Sequence, residues 1–458
     1  MSYVHPNSKR CEKSEIDLFS IPPTQLSLEK GRWIDYRPLS SVRNDDSAIT
    51  FLISGTDEYL DLSKTILVVE GKVTKADGTD LSGGTQADIA PVNNFLHSLF
   101  KQVDVFLNGK QVTPAMGTYA YRSYIETLLN YDESAKKSQL SSALYFKDTA
   151  GEMDGGGALP SEATVAKGGG ANTTKVVVPG TGNQGFAARN KFITEGKTFT
   201  LAGPIFSDIF MCDRLLLNNM ELKVVLNRSP NTFCLMDKNT APVNPQVKFT
   251  DVVLKIRKVK VDEVVSAANE LTLQRTPAIY PIRRVECKAF SIPSGLPNVR
   301  NDNIFSGKIP SSFVFGLVQG TAYNGAYATN PYNFEHFNVI SVTLTVNGEE
   351  IPFKQLVLDY KSDKQKDFIQ AYNTLFSGTG KMYTNAELDI TREDYAEGYT
   401  LYAFDLTPDQ CNSSDYFNAI QRGSLSVDLT FDGAPTVPIA MVCYGDFENI
   451  IRIDSERN

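Results

Sequence analysis

Apolar and polar residues alternate in short segments along most of the chain. The alternation is clear at residues 65–69, 103–107, 220–226 and 425–431, and a period of two is typical of strands with one buried face. Asn-Gly and Asp-Gly pairs separate many of these segments, as expected for tight turns. The pattern therefore predicts a chain built mainly of short antiparallel strands.

Two segments have a helical period instead, at residues 119–131 and 363–376, and Asp363 is the expected N-cap of the second. Between residues 151 and 190, Gly, Ser and Thr dominate, and two Gly-Gly-Gly runs occur. Such a composition offers little apolar surface to bury. We expect this stretch to be an exposed, partly mobile loop that tolerates shortening.

An internal repeat relates the two halves of the chain. Residues 94–109 read NFLHSLFKQVDVFLNG and residues 333–348 read NFEHFNVISVTLTVNG, and the two align without a gap. Each copy ends in an Asn-Gly pair, Asn108-Gly109 and Asn347-Gly348. This pair is the strongest short signal for a β-hairpin, because both turn residues need a positive φ. One of the predicted helices follows each copy, so the order of elements repeats.

The repeat predicts an all-β protein of two tandem jelly-roll sandwich or barrel domains, a double jelly roll, with a short helix in each. The first copy is longer because the Gly-rich stretch has no counterpart in the second. The predicted organisation is an N-terminal arm (1–28), a first jelly roll (29–262, with the loop at about 151–190), a linker (263–279) and a second jelly roll (280–458).

Several segments of the second half resemble a known family. They are residues 302–310 (DNIFSGKIP), 315–318 (FGLV) and 330–334 (NPYNF), and residues 91–100 and 118–131 of the first half are similar to it too. The chain resembles the double jelly-roll major capsid proteins of the Polinton (Maverick), adintovirus and virophage-like lineage. The resemblance covers most of the chain, but its motifs are strand and turn patterns without a chemical signature.

The resemblance implies a structural subunit that forms homotrimers of pseudo-hexagonal outline. Such trimers would tile an icosahedral shell around double-stranded DNA in a virion. The implied partners are other copies of the chain, the penton and minor capsid proteins, and packaged DNA only indirectly. It also implies a protein that is made inside the host cell and is not an enzyme.

Composition narrows the alternatives. Apolar residues make up 41% and charged residues 21% of the chain, and the formal net charge is −8, which argues against wholesale wrapping of nucleic acid. Six cysteines are dispersed without a C-x-x-C pair, so reduced thiols are expected rather than a zinc ribbon or a redox motif. No apolar run is long enough for a membrane span.

Residues that often carry chemistry are sparse and scattered. The three histidines are His5, His97 and His336, and because two of them occupy matching repeat positions, we expect packed histidines in separate domains rather than a catalytic or metal pair. The sequence from Ser377 to Lys381 lacks the first Gly and the Ser/Thr of a phosphate loop and follows a helix. We therefore predict no catalytic, cofactor-binding or metal-binding residue.

Two charged segments leave alternatives open. Lys255, Arg257, Lys258 and Lys260 lie on one predicted strand, which is either a solvated face or an inward-facing patch that meets DNA or a minor shell protein. The N-terminal arm either ties neighbouring subunits together or is a disordered end.

Two other functions stay open at this level. The first is a β-sandwich binding or carbohydrate-active protein, whose groove would be lined by some of the 20 tyrosines. Tyrosines clustered on an exposed face would favour it, whereas tyrosines spread through the interiors would favour the shell. The second is a capsid-derived protein that a host has domesticated.

Overall fold

The computed structural model describes residues 5–9, 11, 13–42, 47–166, 173–351, 354–361, 367–385, 388–412 and 416–458. Eight strands of the first half form two four-stranded antiparallel sheets, in the orders β1-β8-β3-β6 and β2-β7-β4-β5. These strands are β1 (Leu28–Tyr36), β2 (Ile49–Ile53), β3 (Tyr59–Thr74), β4 (Phe100–Leu107), β5 (Lys110–Gln111), β6 (Thr198–Gly203), β7 (Leu222–Arg228) and β8 (Gln246–Val261).

Eight strands of the second half repeat this arrangement, in the orders β9-β16-β11-β14 and β10-β15-β12-β13. They are β9 (Ala278–Ile292), β10 (Asn298–Asn301), β11 (Ser312–Gln319), β12 (Val339–Val346), β13 (Glu349–Glu350), β14 (Leu401–Asp405), β15 (Leu425–Phe431) and β16 (Ile439–Ile453). Each strand of the first half thus has a counterpart eight places later. This order of strands in two facing sheets is that of a jelly roll, so the predicted all-β double jelly roll is confirmed.

Shorter elements decorate the two rolls. The additional strands are Ile89–Pro91 paired with Leu235–Asp237, Gly157–Ala158 paired with Thr181–Gly182, Ser161–Ala166 paired with Thr173–Val178, and Leu356–Val357 paired with β12. The 3₁₀ helices are Ser14–Ile16, Gly84–Asp88, Gln139–Ala143, Thr194–Gly196 and Asp208–Met211.

Short α-helices occupy the connections between strands. They are α1 (Phe95–Ser98), α2 (Tyr119–Asn130), α3 (Glu133–Lys137), α4 (Gln184–Asn190), α5 (Asn231–Cys234), α6 (Glu263–Leu273), α7 (Gly320–Asn324), α8 (Ile369–Gly378) and α9 (Arg392–Ala396). Within the described ranges, no helix is both long enough and apolar enough to cross a membrane.

The two predicted helices exist, with one difference in extent. Helix α2 agrees with the prediction for residues 119–131. Helix α8 begins at Ile369, later than predicted, and the proposed N-cap Asp363 lies outside the described residues. Helix α6 was not predicted, and it occupies the segment expected to be a linker. Asp262 caps it by accepting hydrogen bonds from the backbone N–H groups of Val264 and Val265.

The stretch at 151–190, predicted to be an exposed, partly mobile loop, is not a loop throughout its described residues. This stretch contains strands and α4, and the side chains of Phe186 and Arg189 are fully buried. Glycine serves here to bring backbones together: a Cβ on Gly185 would lie 2.5 Å from the carbonyl oxygen of Lys147, and one on Gly157 would lie 2.1 Å from that of Asn183. Gly157 and Gly185 therefore permit close packing.

Alternation of buried positions holds each roll together. In β7, Leu222, Val224 and Leu226 are buried while the residues between them are partly exposed. A side chain that points between the two sheets loses its contact with water, whereas its neighbours point to the opposite face. The core of each roll therefore lies between its two sheets. Each aliphatic side chain buried there contributes roughly 1.5–3 kcal/mol to the stability of the fold.

The repeat positions Asn108-Gly109 and Asn347-Gly348 form the turns between β4 and β5 and between β12 and β13. Leu107 pairs with Lys110 and Val346 pairs with Glu349. All four turn residues have positive φ: 44° and 79° in the first turn, and 54° and 90° in the second. These are two-residue hairpins in which both central residues adopt the left-handed conformation.

Replacing Gly109 or Gly348 with Val should lower stability. A Cβ at either glycine would meet nothing within 4 Å, so the cost comes from positive φ alone, about 1–2 kcal/mol or more for a β-branched residue. Gly84→Val is the matched control, because a Cβ on Gly84 also meets open space but its φ is not positive. Thermal unfolding and soluble yield of the three variants check this. Equal losses in all three would contradict the role of the turns.

Candidate functional site: the seam between the two rolls

The two rolls meet at an extensive interface, which we call the seam. The first half contributes α2 and residues 144–154, and the second half contributes β9 and residues 327–336 and 388–399. Helix α2 is buried on every side, with only its last residue, Asn130, exposed. A helix buried all round must be covered by more than one layer, and here each roll supplies one of the layers.

Aromatic rings form the centre of the seam. Tyr124 of α2 stacks on Tyr332 of the second half, with ring centroids 4.1 Å apart and planes 7° from parallel. Tyr121 meets the same ring edge-on at 5.8 Å. The hydroxyl of Tyr332 lies 2.6 Å from Oγ of Ser98, so the polar end of the buried ring has a partner. Burial raises the pKa of Tyr121 and Tyr124 well above the usual range.

A buried ion pair links the Gly-rich insertion to the seam. The side chains of Arg189 and Asp148 are both fully buried, and their Nη2 and Oδ1 atoms lie 2.6 Å apart. Arg189 also donates to the carbonyl oxygens of Pro91 and Phe146, at 2.8 and 2.7 Å. Asp148 Oδ2 accepts from Nδ2 of Asn330 in the second half, at 3.1 Å. One carboxylate thus connects the insertion and both rolls.

A second buried charge cluster lies along α2. Arg122 pairs with Glu126 and with Asp208, each at 2.8 Å. The second half completes the cluster: the backbone N–H of Val285 donates to Asp208 Oδ1 at 3.3 Å, and the hydroxyl of Tyr444 donates to Glu126 Oε1 at 3.4 Å. Burial raises the pKa of Glu126.

Edge strand β9 is held by side chains of the first roll. Thr118 Oγ1 donates to the carbonyl oxygen of Cys287 at 2.6 Å, and Arg214 Nη1 donates to that of Ile279 at 2.5 Å. The hydroxyl of Tyr280 donates to the carbonyl oxygen of Leu215 at 3.1 Å. The bonds from Thr118 and Arg214 satisfy backbone carbonyl groups that an edge strand would otherwise leave open, and the bond from Tyr280 attaches a side chain of β9 to the first roll.

Lysines connect the rim of the seam. Lys147 Nζ contacts Asp389 and Asp394 at 3.1 and 2.8 Å. Lys136 Nζ donates to the carbonyl oxygen of Leu388 at 2.7 Å, and burial lowers the pKa of Lys136 to about 8. Lys381 Nζ donates to the carbonyl oxygen of Leu129 at 2.5 Å. Each bond crosses from one half to the other.

A cavity of about 610 Å³ opens beside the seam and has an acidic wall. Asn333 Nδ2 bridges two carboxylates, Asp154 Oδ2 at 2.8 Å and Glu335 Oε1 at 2.9 Å. Burial and the nearby Asp154 raise the pKa of Glu335 to about 7. Across the described residues, no group of three or more His, Cys, Asp or Glu side chains is arranged to hold a metal ion.

The three histidines have different environments. His97 is buried, with Nδ1 3.1 Å from the hydroxyl of Tyr119, and burial lowers its pKa to about 3. His336 is partly buried, stacks on Tyr360 with centroids 4.1 Å apart, and accepts a hydrogen bond from the backbone N–H of Asn338. His5 is exposed. Both repeat histidines are thus packed against aromatic rings.

The other sequence features have structural roles. Residues Ser377 and Gly378 end α8, and Gly380 follows with φ of 69°, so this segment is the end of a helix rather than a phosphate loop. The four cations of the basic strand lie on β8. Lys258 is buried and its Nζ donates to Thr56 Oγ1 at 3.0 Å.

Sequence reasoning missed the charge clusters of the seam. Nothing in the sequence around Asp148 or Arg189 marks them as partners, because they come together only through tertiary packing. One local signal existed: Asn183 is an N-cap residue that accepts from the backbone N–H of Phe186, and such a residue before Phe186 and Arg189 is a helix start.

Known proteins resemble this chain in sequence and in fold. No protein-family model matches the chain. A protein of Caenorhabditis elegans, described as uncharacterized protein F54H12.2, is 26% identical over 450 residues, which cover 96% of this chain and 98% of that protein. The name of that protein does not state a function.

Solved structures match over nearly the full length. A chain of the Sputnik virophage matches with a TM-score of 0.60 and 11% identity over 99% of this chain and 93% of that chain. The mavirus major capsid protein matches with a TM-score of 0.55 and 10% identity, covering 100% and 94%. The Faustovirus major capsid protein matches with a TM-score of 0.54 and 9% identity, covering 96% and 93%. The chain therefore has the double jelly-roll fold of these proteins.

Replacing Arg189 with Met should destabilise the protein strongly. The change leaves the buried Asp148 carboxylate without its cation, which typically costs about 3–5 kcal/mol. Arg300→Met is the control, because Arg300 pairs with Asp302 at 2.7 Å on the exposed surface and should change stability little. Denaturant unfolding compares the two variants with the parent. An equal, small effect of both would contradict the proposed role of the ion pair.

Glu335→Gln should flatten the pH dependence of stability. The folded pKa of about 7 lies above the ordinary value of 4.5, so the folded state binds more protons between those values. The protonated Glu335 carboxyl therefore stabilises the folded state. This stabilisation is fully present below pH 4.5 and is lost as the pH rises through 7. Burial lowers the pKa of His97, so the contribution of His97 to stability increases with pH and opposes that of Glu335. The parent and the variant must therefore be compared directly.

Melting temperatures measured from pH 4.5 to pH 8 test this difference. The parent should lose more stability than Glu335→Gln on going from acid to neutral pH, whereas Glu393→Gln, at an exposed site, should follow the parent. Parallel curves for the parent and Glu335→Gln would show that the carboxyl does not titrate in this window.

Proposed function

We propose that this chain is a major capsid protein, the structural subunit of an icosahedral shell around a double-stranded DNA genome. The observation that carries the proposal is the match of both rolls, over almost the whole chain, to capsid proteins of mavirus and Faustovirus. In a virion, its first partner would be itself, as a homotrimer and then as a lattice. Penton and minor capsid proteins would be further partners, and DNA an indirect one.

The seam supports a tiling role. A shell subunit must keep a fixed outline, and the buried hydrogen bonds that cross the seam, from Asn330 to Asp148 and from Val285 to Asp208, oppose movement of one roll against the other. Two rolls in one rigid subunit give a trimer six similar corners, which suits a near-hexagonal lattice. The function would then be to fill a defined position in the lattice rather than to catalyse a reaction, and we propose no catalytic role.

The distribution of tyrosines supports a shell over a carbohydrate-binding sandwich. Eleven of the 20 tyrosines are buried, many of them at the seam, including Tyr124, Tyr332 and Tyr399. Among the described tyrosines, Tyr383 and Tyr416 are the exposed ones. Sugar-binding grooves present aromatic faces to solvent, whereas these rings pack against each other within the subunit.

A second candidate is a capsid-derived protein that an animal host encodes. The observation that favours it is the Caenorhabditis elegans relative, which matches along 96% of this chain. Both candidates predict self-assembly. They differ in cargo: particles of a working capsid should protect DNA from nuclease, whereas those of a domesticated protein need not contain any.

The purified protein should form a stable homotrimer of about 150 kDa, since one chain weighs 50.5 kDa. Multi-angle light scattering across a range of concentrations and salt checks this mass, and electron microscopy of the same samples tests for shells. A monomer under every condition would overturn the proposed function.

A further inference from the structure

Three Asn-Gly pairs occur in the chain, and they lie in different surroundings. They are Asn108-Gly109, Asn324-Gly325 and Asn347-Gly348. In such a pair, the backbone nitrogen of Gly can attack the side-chain amide carbon Cγ of Asn, because Gly has no Cβ to hinder the approach. Whether a pair reacts in the folded protein depends on how firmly the fold holds the amide and the Gly nitrogen.

This reaction is deamidation, and it needs only water as a co-reactant. The Gly nitrogen loses its proton and forms a bond to Cγ, while the Cγ–Nδ2 bond breaks and the amide nitrogen leaves as ammonia. Water then opens the resulting cyclic succinimide at either carbonyl carbon. The products are aspartate and isoaspartate, and both carry a carboxylate in place of the neutral amide.

The side chain of Asn108 is held at both ends of its amide. Its Oδ1 accepts from the backbone N–H of Glu221 at 2.7 Å, and its Nδ2 donates to the carbonyl oxygen of Arg457 at 2.7 Å. The backbone N–H of Asn108 donates in turn to the carbonyl oxygen of Glu221 at 2.9 Å. Attack by the nitrogen of Gly109 would require the amide to rotate and both side-chain bonds to break, so this pair is protected.

Asn347 is held in the same way at the matching position of the repeat. Its Oδ1 accepts from the backbone N–H of Ser424 at 3.0 Å, and its own backbone N–H donates to the carbonyl oxygen of Ser424 at 2.9 Å. The amide also lies close against Gly423, where a Cβ would be 1.8 Å from Oδ1 of Asn347. Both repeat turns thus fix the Asn amide against the neighbouring chain and oppose its rotation toward the following Gly.

The side chain of Asn324 has no such restraint. Asn324 is the last residue of α7 and is exposed, and within the described part of the chain its side chain has no hydrogen-bond partner. The backbone N–H of Gly325 donates to the carbonyl oxygen of Ala322 at 3.1 Å, at the end of a helix of five residues. Because helix ends fray, this bond opens easily and frees the nitrogen for attack.

We propose that Asn324-Gly325 is a site of spontaneous deamidation in the folded protein, whereas the two turn pairs are protected. The reaction adds a negative charge at the C-terminal end of α7, where the helix dipole disfavours it. Isoaspartate also lengthens the backbone by one carbon beside Gly325, where a Cβ would lie 3.1 Å from the backbone nitrogen of Phe233. The ring of Phe233 meets that of Tyr332 edge-on, so the modified segment adjoins the seam. This inference does not depend on the proposed function.

Peptide mapping by mass spectrometry tests the inference on the parent protein and needs no variant. The folded protein is incubated at mildly alkaline pH, and aspartate and isoaspartate are measured over time at the three positions. Asn324 should be converted about tenfold faster than Asn108 or Asn347, because reaction in either turn first breaks hydrogen bonds that hold the amide. The same incubation in urea is the internal control. The unfolded chain has lost these bonds, so the three pairs should be converted at similar rates.

Asn324→Gln is the matched variant, because a Gln side chain keeps the amide but closes the ring far more slowly. The acidic species that ion-exchange chromatography separates from the aged parent should not accumulate in this variant. Asn385→Gln is the control, because Asn385 is exposed and precedes Ala386, and it should age like the parent. The inference is overturned if folded Asn324 is converted no faster than Asn108 and Asn347 while the unfolded chain reacts at all three pairs. Equal accumulation of the acidic species in the parent and in Asn324→Gln would also overturn it.

Discussion

Helix α2 lies in the middle of the molecule, and its burial is the constraint on which the rest depends. It carries a charged pair, Arg122 and Glu126, into an interior where an unpaired charge costs several kcal/mol. The partners come from both halves: Asp208 from the first, and Tyr444 and the backbone of Val285 from the second. Separating the rolls would leave these groups unsatisfied, so the two rolls behave as one body.

The two copies of the roll have diverged around this constraint. Only the first copy carries the Gly-rich insertion at 151–190, and the insertion supplies Asp154 and Arg189, the partner of Asp148, to the seam. Close backbone approaches at Gly157 and Gly185 anchor it against its surroundings. The second copy supplies the receiving groups, Asn330 and Tyr399, which bond the carboxylate and the carbonyl oxygen of Asp148.

Local signals predicted the strands and turns well, because they act over a few residues. The alternation in β7 and the Asn-Gly pairs at 108–109 and 347–348 each depend on the backbone of their own segment. The seam was beyond such reasoning. Asp148 and Asn330 lie far apart in the sequence, and their pairing depends on how two complete rolls dock. The insertion was misjudged for a related reason. A high glycine content occurs both in mobile loops and in segments where backbones pack closely, so composition alone does not distinguish the two.

Duplication also leaves two equivalent edge strands in different surroundings. The first roll covers β9, the edge strand of the second roll, and bonds its backbone through Thr118 and Asp208. Strand β1 holds the same position in the first roll, but all of its residues except Ile34 and Tyr36 are exposed. Joining two rolls in one chain therefore covers one of two edges that would both be open in separate rolls.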